Sequence, residues 1–287
     1  MSANATTTES LRQTAAELLS EGKVGVVIGY AADEGSAVSG PIFVRKAEEA
    51  QRLSFDNHCF ANLAVYLAGS EICEMGKTAI VVKGCDLRAV NVLLRENVIE
   101  RDNLVLIGVR CSGVGDPPLS KCSVCEVHDP QECDVVVGDD VEQPETDDQQ
   151  KYAAADAIDA MPLEERWEFW RGKLEKCIRC YACRQVCPLC YCKQCIVEKS
   201  MPHWVETSAH LRGNLAWNVA RALHLTGRCV GCGECERVCP MDIPLGAINE
   251  KMAKIVAEWY DFQSGLSPEE KGPFTTFSLD DCDEAIL

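Results

Sequence analysis

The chain has 287 residues, 47% of them apolar, with 28 Lys and Arg against 45 Asp and Glu, a formal charge of −17 and a pI near 4.7. A field this negative repels phosphate backbones and argues against nucleic-acid binding. The longest apolar runs, such as Val24 to Tyr30, are strand-sized, far below the ~18 residues of a spanning helix. "MSANATTTES" carries neither a basic nor an apolar leader region, so the expectation is a cytoplasmic chain with no direct membrane insertion. In such a reducing compartment its 19 cysteines point to metal rather than to a disulfide framework.

Residues 1–140 alternate between helical and strand patterns. Ser10-Leu11-Arg12-Gln13 has a capping-box pattern, and Leu11, Ala15, Leu18 and Leu19 follow at helical spacing. "KVGVVIGY" reads as a buried strand, and Phe60, Leu63, Ala64 and Leu67 as a helix face. "TAIVVKG" reads as a strand, with Asp86 as N-cap of a helix carrying Leu87, Val90, Leu93, Leu94 and Val98. "NLVLIGV" and "CDVVVG" add two strands. The rhythm predicts a small α/β domain with a mostly parallel sheet.

Residues 141–175 read as an acidic linker ("DDVEQPETDDQQ" starts at 139) and then a helix with Trp167, Phe169, Trp170 and Leu174. Residues 176–260 form a cysteine-rich module whose clearest helices are Leu211 to Leu225 and the stretch carrying Ile248, Met252, Ile255, Val256 and Trp259. Residues 261–287 read as a tail without assigned structure. Its acidic end, "TTFSLDDCDEAIL", reads equally as a dock for a basic partner and as a solvated terminus.

Cys177-x2-Cys180-x2-Cys183-x3-Cys187-Pro188 is repeated as Cys229-x2-Cys232-x2-Cys235-x3-Cys239-Pro240. Each run has the spacing that wraps one [4Fe–4S] cube, and in two-cluster modules the fourth cysteine serves the other cube. Cys177, Cys180, Cys183 and Cys239 are therefore expected on one cluster, and Cys229, Cys232, Cys235 and Cys187 on a second. Small residues (Ala182, Gly231, Gly233) are expected to let the loops close over sulfide. The module resembles two-cluster ferredoxins, which implies an α+β ferredoxin-like fold, although 41 residues separate Cys187 from Cys229. Cys190, Cys192 and Cys195 fall outside the motif. They read as a further metal or redox site, or as free thiols packed beside a cluster. Cys183-x3-Cys187-x2-Cys190 also has radical-SAM spacing, but no barrel-sized segment follows it.

Cys85 lies between a strand end and a helix start, where the helix N-terminus and Lys83 are expected to favour its thiolate. Cys111 follows the next strand, and Cys122-x2-Cys125 the next loop. Cys85 and Cys111 lie at strand C-terminal ends on one edge of a parallel sheet, where ligands usually bind and where the four thiolates can converge. A third [4Fe–4S] cluster on Cys85, Cys111, Cys122 and Cys125 is expected. The other readings are a zinc ion on Cys122 and Cys125, or no metal. Cys59, Cys73, Cys133 and Cys282 look structural. His203, Trp204, His210 and His224 lie in the insertion between the runs and read as cap or packing residues, or as groups tuning a cluster. "GVGD" and "GYAADEGSAVSG" are not dinucleotide fingerprints.

"VVKGCDLRAV", "LVLIGVRCSG", "KCSVC" and "CDVVVG" resemble the beta subunits of coenzyme F-420 (deazaflavin) hydrogenases and dehydrogenases, formate dehydrogenase included, over roughly residues 55 to 140. That resemblance implies an iron–sulfur cluster in this domain, supports Cys85, Cys111, Cys122 and Cys125 as its ligands, and implies FAD nearby. Here the ferredoxin module follows the domain instead of preceding it, and the domain is short. The reading is an electron-transfer subunit of a larger anaerobic oxidoreductase, relaying electrons through two or three [4Fe–4S] clusters without a catalytic residue of its own. The resemblance implies partners of the hydrogenase, formate dehydrogenase, heterodisulfide-reductase-like or methylene-tetrahydrofolate-reductase type. The alternative is a flavin-containing beta subunit that itself exchanges electrons with the deazaflavin or a similar carrier.

Overall fold

The computed structural model describes residues 3–32, 38–143, 147–199, 201–273 and 275. Helix α1 (Ala3–Ser20) buries Leu11, Ala15 and Leu18. It starts well before the capping-box signal at Ser10 because tertiary bonds hold its first turns. Thr8 Oγ1 donates to the Phe55 carbonyl (3.2 Å) and accepts from the Phe55 N–H (3.0 Å).

Five strands follow: β1 (Val26–Ala32), β2 (Ser39–Val44), β3 (Thr78–Val82), β4 (Leu104–Val109) and β5 (Val135–Val137). The sheet order is β2-β1-β3-β4-β5. Only β1 and β2 are antiparallel, so the sheet is mostly parallel, as the sequence predicts. Strand β2 was not foreseen, because Ser39-Gly40-Pro41 reads as a break. Pro41 pairs with Tyr30 at the sheet's edge, where a missing N–H costs no ladder bond.

Two local expectations are corrected. Asp86 is not the N-cap of helix α2 (Gly84–Arg95) but stands inside its first turn, where Oδ2 accepts from the Lys83 N–H at 2.9 Å. Phe60 to Leu67 is not a helix face but contains one 3-10 turn, Leu63–Tyr66, capped by Asn62. Leu63, Ala64 and Leu67 are still buried, so the apolar pattern reported burial without fixing the element.

The second half contains α3 (Ala153–Asp159), α4 (Leu163–Leu174), α5 (Leu211–His224) and α6 (Leu245–Tyr260). Among the described residues of 176–260 there is no strand, so the expected α+β module is helices and loops. The two stretches read as helices are α5 and α6, whose buried residues pack on the module's loops rather than on a sheet. Residues 261–273 have no regular element but are anchored. Phe262 is buried, Arg88 donates to the Ser264 carbonyl (2.7 Å) and Asn91 to the Gly265 carbonyl (3.1 Å). Residues 276–287, with Cys282 and nearly all of the acidic end, lie outside the described residues, as does the side chain of Cys73.

The main apolar core joins the sheet to Leu189, Leu225 and Val230 of the cysteine-rich region. Two smaller clusters surround Leu174, Ile243 and Leu245, and Val197, Val205 and Trp217. No helix among the described residues is long and apolar enough to cross a membrane.

Candidate metal centres

The two cysteine runs fold into loops of the same backbone shape. Arg179 and Tyr181 in the first have φ of 59°, and Gly231 and Gly233 at the same positions of the second have 67° and 71°. A one-turn helix follows each loop, Ala182–Gln185 and Glu234–Arg237. Successive residues of opposite handedness turn their N–H groups into one concavity, a nest for an anion such as sulfide. This revises the role expected for the small residues. Gly231 matches Arg179, Gly233 matches Tyr181 and Ala182 matches Glu234, so none is small to admit the cluster. The two glycines serve the positive φ.

A non-glycine residue in the left-handed region costs roughly 1–2 kcal/mol. The inserted helix α5 and the loop before it hold the first loop there. Arg179 donates to the Gly213 carbonyl at 2.6 Å and the Glu206 carbonyl at 3.0 Å. Its guanidinium also meets the Tyr181 hydroxyl at 3.0 Å, and Tyr181 packs edge-on against Trp217, 5.1 Å between centroids. Asn214, fully buried, donates to the carbonyls of Leu174 (3.0 Å) and Cys177 (2.8 Å).

Cys187 of the first run lies near the second run's cysteines, and Cys239 packs against an apolar cluster shared by cysteines of both runs. Cys187 is within electrostatic reach of Cys229, Cys232 and Cys235, and raises the pKa of each. Cys239 shares an apolar cluster with Cys177 and Cys183, and Cys180 acts on Cys183. Burial pushes the Cys229 thiol up to about 12 and the Cys183 thiol to about 11. Bare thiolates are disfavoured in such a pocket, and a group bringing iron charge compensates them. The described cysteines are free thiols, and soft thiolate sets with nested N–H groups fit [4Fe–4S] cubes. Among the described residues no three His, Cys, Asp or Glu side chains converge on a single ion. Thiolates around a cube each meet a different iron and stand farther apart.

Cys190 hydrogen-bonds Cys187, which lowers its own pKa. Cys192 is exposed, and Cys195 packs near Cys177, Tyr181 and Cys183. His203, Trp204, His210 and His224 are exposed. His210 caps α5 and pairs with Glu206 at 2.7 Å, the packing-and-capping role.

The N-terminal cysteines gather beyond the C-terminal ends of β3 and β4. Cys85 is in the first turn of α2, Cys111 follows β4, and Cys122 is in the one-turn helix Ser120–Ser123. Cys125 acts on Cys85, and both Cys122 and Cys125 act on Cys111. Cys133 packs against Gly108 instead, and Cys59 is buried beside Asp56. The expected lowering of the Cys85 thiol is corrected. Burial, helped by the Asp86 charge, pushes it up to about 12. Lys83 is committed elsewhere, 2.8 Å from Asp86 and bonded to the Tyr30 hydroxyl.

Motif reading missed the groups that bind these thiol sites together. Buried His128 accepts from the Cys111 N–H through its carbonyl (3.0 Å), and its ring nitrogen Nε2 lies 3.3 Å from the Cys122 carbonyl. Lys121 Nζ donates to the Cys232 carbonyl at 2.7 Å and feels the charges of Cys85 and Cys232 alike. Asn249 Nδ2 lies 3.6 Å from Cys235 Sγ. Their only sequence signal is a polar residue on an otherwise apolar helix face or beside a cysteine.

A class of site is thereby defined, and the comparisons agree with it: a family model described as a 4Fe-4S dicluster domain matches residues 176–244. Among named proteins, the F420-dependent formate dehydrogenase subunit beta of Methanocaldococcus jannaschii is 36% identical over 108 residues, 36% of this chain and 28% of that protein. F420-dependent formate dehydrogenase 1 subunit beta of Methanococcus maripaludis is 26% identical over 110 residues, 37% of this chain and 28% of that protein. The chain thus spans about 28% of the length of these relatives. Both parts of the resemblance drawn from the sequence, to such beta subunits and to two-cluster iron–sulfur modules, are borne out.

Proposed function

We propose that this chain is an iron–sulfur electron-transfer subunit of a multi-subunit oxidoreductase, working beside a catalytic redox subunit such as that of a formate dehydrogenase. Cys177, Cys180, Cys183 and Cys239 hold one [4Fe–4S] cube, Cys229, Cys232, Cys235 and Cys187 a second, and Cys85, Cys111, Cys122 and Cys125 a third. The observation that carries the reading is Cys187 of the first run lying within electrostatic reach of Cys229, Cys232 and Cys235 of the second.

When bound, a cube supplies one-electron redox chemistry. The chain's own groups hold and shield it. The nested loops would aim N–H donors at sulfide, Asn249 approaches the Cys235 sulfur, and Cys235 is buried while Cys180 stays exposed. Lys121 ties the loop of Cys122 to the Cys232 loop, which supports a third site beside the second.

Iron and acid-labile sulfide per chain, on anaerobically purified protein, test this. About twelve irons, falling to about eight in Cys85→Ser/Cys122→Ser, are expected for three cubes. About eight in both would remove the third.

One observation favours a second reading, a flavin-containing beta subunit. A groove of about 920 Å³ opens over Cys111 and Cys122, lined by Arg110, Ser112 and His128, and its size suits a cofactor. Flavin released on denaturation would establish that reading, and a flavin-free supernatant would dismiss it.

A further inference from the structure

Arg221 lies on α5, the helix inserted between the two cysteine runs. It is 5% exposed. Nη2 donates to the carbonyl of Cys183 at 3.2 Å, and the side chain hydrogen-bonds Cys235. Nε has no hydrogen-bond partner among the described residues. The charges that act on it most strongly are thiols, Cys235, Cys187, Cys190 and Cys183. These come from both runs, so the guanidinium stands where the two ligand sets meet.

An isolated buried charge costs several kcal/mol. Neutral thiols offer Arg221 no countercharge, whereas thiolate-ligated cubes are anionic and their sulfides accept hydrogen bonds. Each cube gains one further negative charge on reduction, so a cation in this low-dielectric setting favours the reduced form.

We propose that Arg221 is the potential-setting residue of the dicluster module, a buried guanidinium shared by both cubes that raises the reduction potential of each. The inference rests on the two-cube reading above and adds a role for the insertion. Helix α5 delivers the cation that neither cysteine motif contains. Because Arg221 serves both ligand sets, it makes both cubes easier to reduce while an electron passes from one to the other.

The experiment is an EPR-monitored redox titration of the full chain, purified anaerobically, as wild type, Arg221→Met and Arg221→Lys. In Arg221→Met the reduction equilibrium of both cubes is expected to weaken roughly tenfold, ~59 mV for a one-electron couple. Arg221→Lys, which keeps the charge, restores most of it. Unchanged potentials in an iron-replete Arg221→Met would overturn the inference. Should that variant fail to load iron, the wild type labelled with 15N-arginine decides. Hyperfine coupling from guanidinium nitrogen to the reduced clusters, lost in Arg221→Lys, is expected, and its absence in the wild type overturns the inference. A wild type with clearly fewer than about eight irons per chain would instead sink the two-cube reading itself.

Discussion

At the scale of single residues, the glycines separate two physical roles. A Cβ on Gly84 would land on the Val127 carbonyl, 2.7 Å from its carbon, so this glycine allows two backbones to touch beneath Cys85 and Cys125. A Cβ on Gly231 would meet no protein atom within 4 Å, and its counterpart Arg179 carries a full side chain at nearly the same φ. Gly84→Ala is therefore expected to lower Tm by several degrees, because the clash with backbone costs roughly 1–3 kcal/mol or more. Gly231→Asn, in a residue that tolerates the left-handed region, should keep Tm and the iron content near wild type. Thermal unfolding and iron analysis of the two variants check the contrast. Equal losses in both would refute it.

At the scale of elements, α5 separates this module from a small ferredoxin. Three successive turns of it serve the cysteine loops. Asn214 holds the carbonyl of Cys177, Trp217 supports Tyr181, and Arg221 reaches Cys183. Trp217 is 3% exposed, and cutting it to Ala costs about 3–5 kcal/mol on general grounds. Beyond that loss, Tyr181 gives up the ring that holds it at positive φ. Trp217→Ala should lower Tm and shift the EPR line shape of the cube on Cys177, Cys180 and Cys183 more than that of its neighbour. Identical spectra for both cubes would show that α5 does not shape the first loop. The helix was legible in the sequence from its apolar spacing, but nothing there marked Asn214 or Arg221.

At the scale of the whole molecule, α2 joins the sheet to the cysteine module. Glu96, at its C-terminal end, accepts from Arg228 at 2.6 and 2.8 Å and from the Tyr191 hydroxyl at 2.7 Å. Arg95 donates to the Gly227 carbonyl at 3.1 Å. Burial alone would raise the Glu96 pKa, but the Arg228 and Tyr191 hydrogen bonds outweigh it and hold the carboxylate below its usual range. A depressed folded-state pKa contributes stability that is complete above the unfolded value of about 4.3 and is lost as pH falls through the folded value. Glu96→Gln should therefore lower Tm at neutral pH by the equivalent of roughly 1–3 kcal/mol, the cost of losing charged hydrogen bonds to a partly exposed Arg228. The gap to wild type should be the same at pH 7 and pH 5 and narrow only below about pH 4. Melting curves across that range test this, and a gap that is already closing at pH 6 would point to another group.

The sequence by itself determined what is local. Ligand spacing marked the two cysteine runs of the dicluster region, and short apolar runs and period-3.6 patterns found four of the five strands and the long helices. These signals are readable because loop wrapping and amphipathic burial depend on neighbours a few residues apart. Only the tertiary structure decided what depends on distant pairs. It brought Cys85, Cys111, Cys122 and Cys125 to one sheet edge and put Pro41 on an edge strand. It also left the module, expected to be α+β, without a strand among its described residues and set Arg221 among thiols of both runs. Nothing in a one-dimensional pattern distinguishes a solvated arginine on a helix from one buried between two metal sites, because the difference lies in what packs against it.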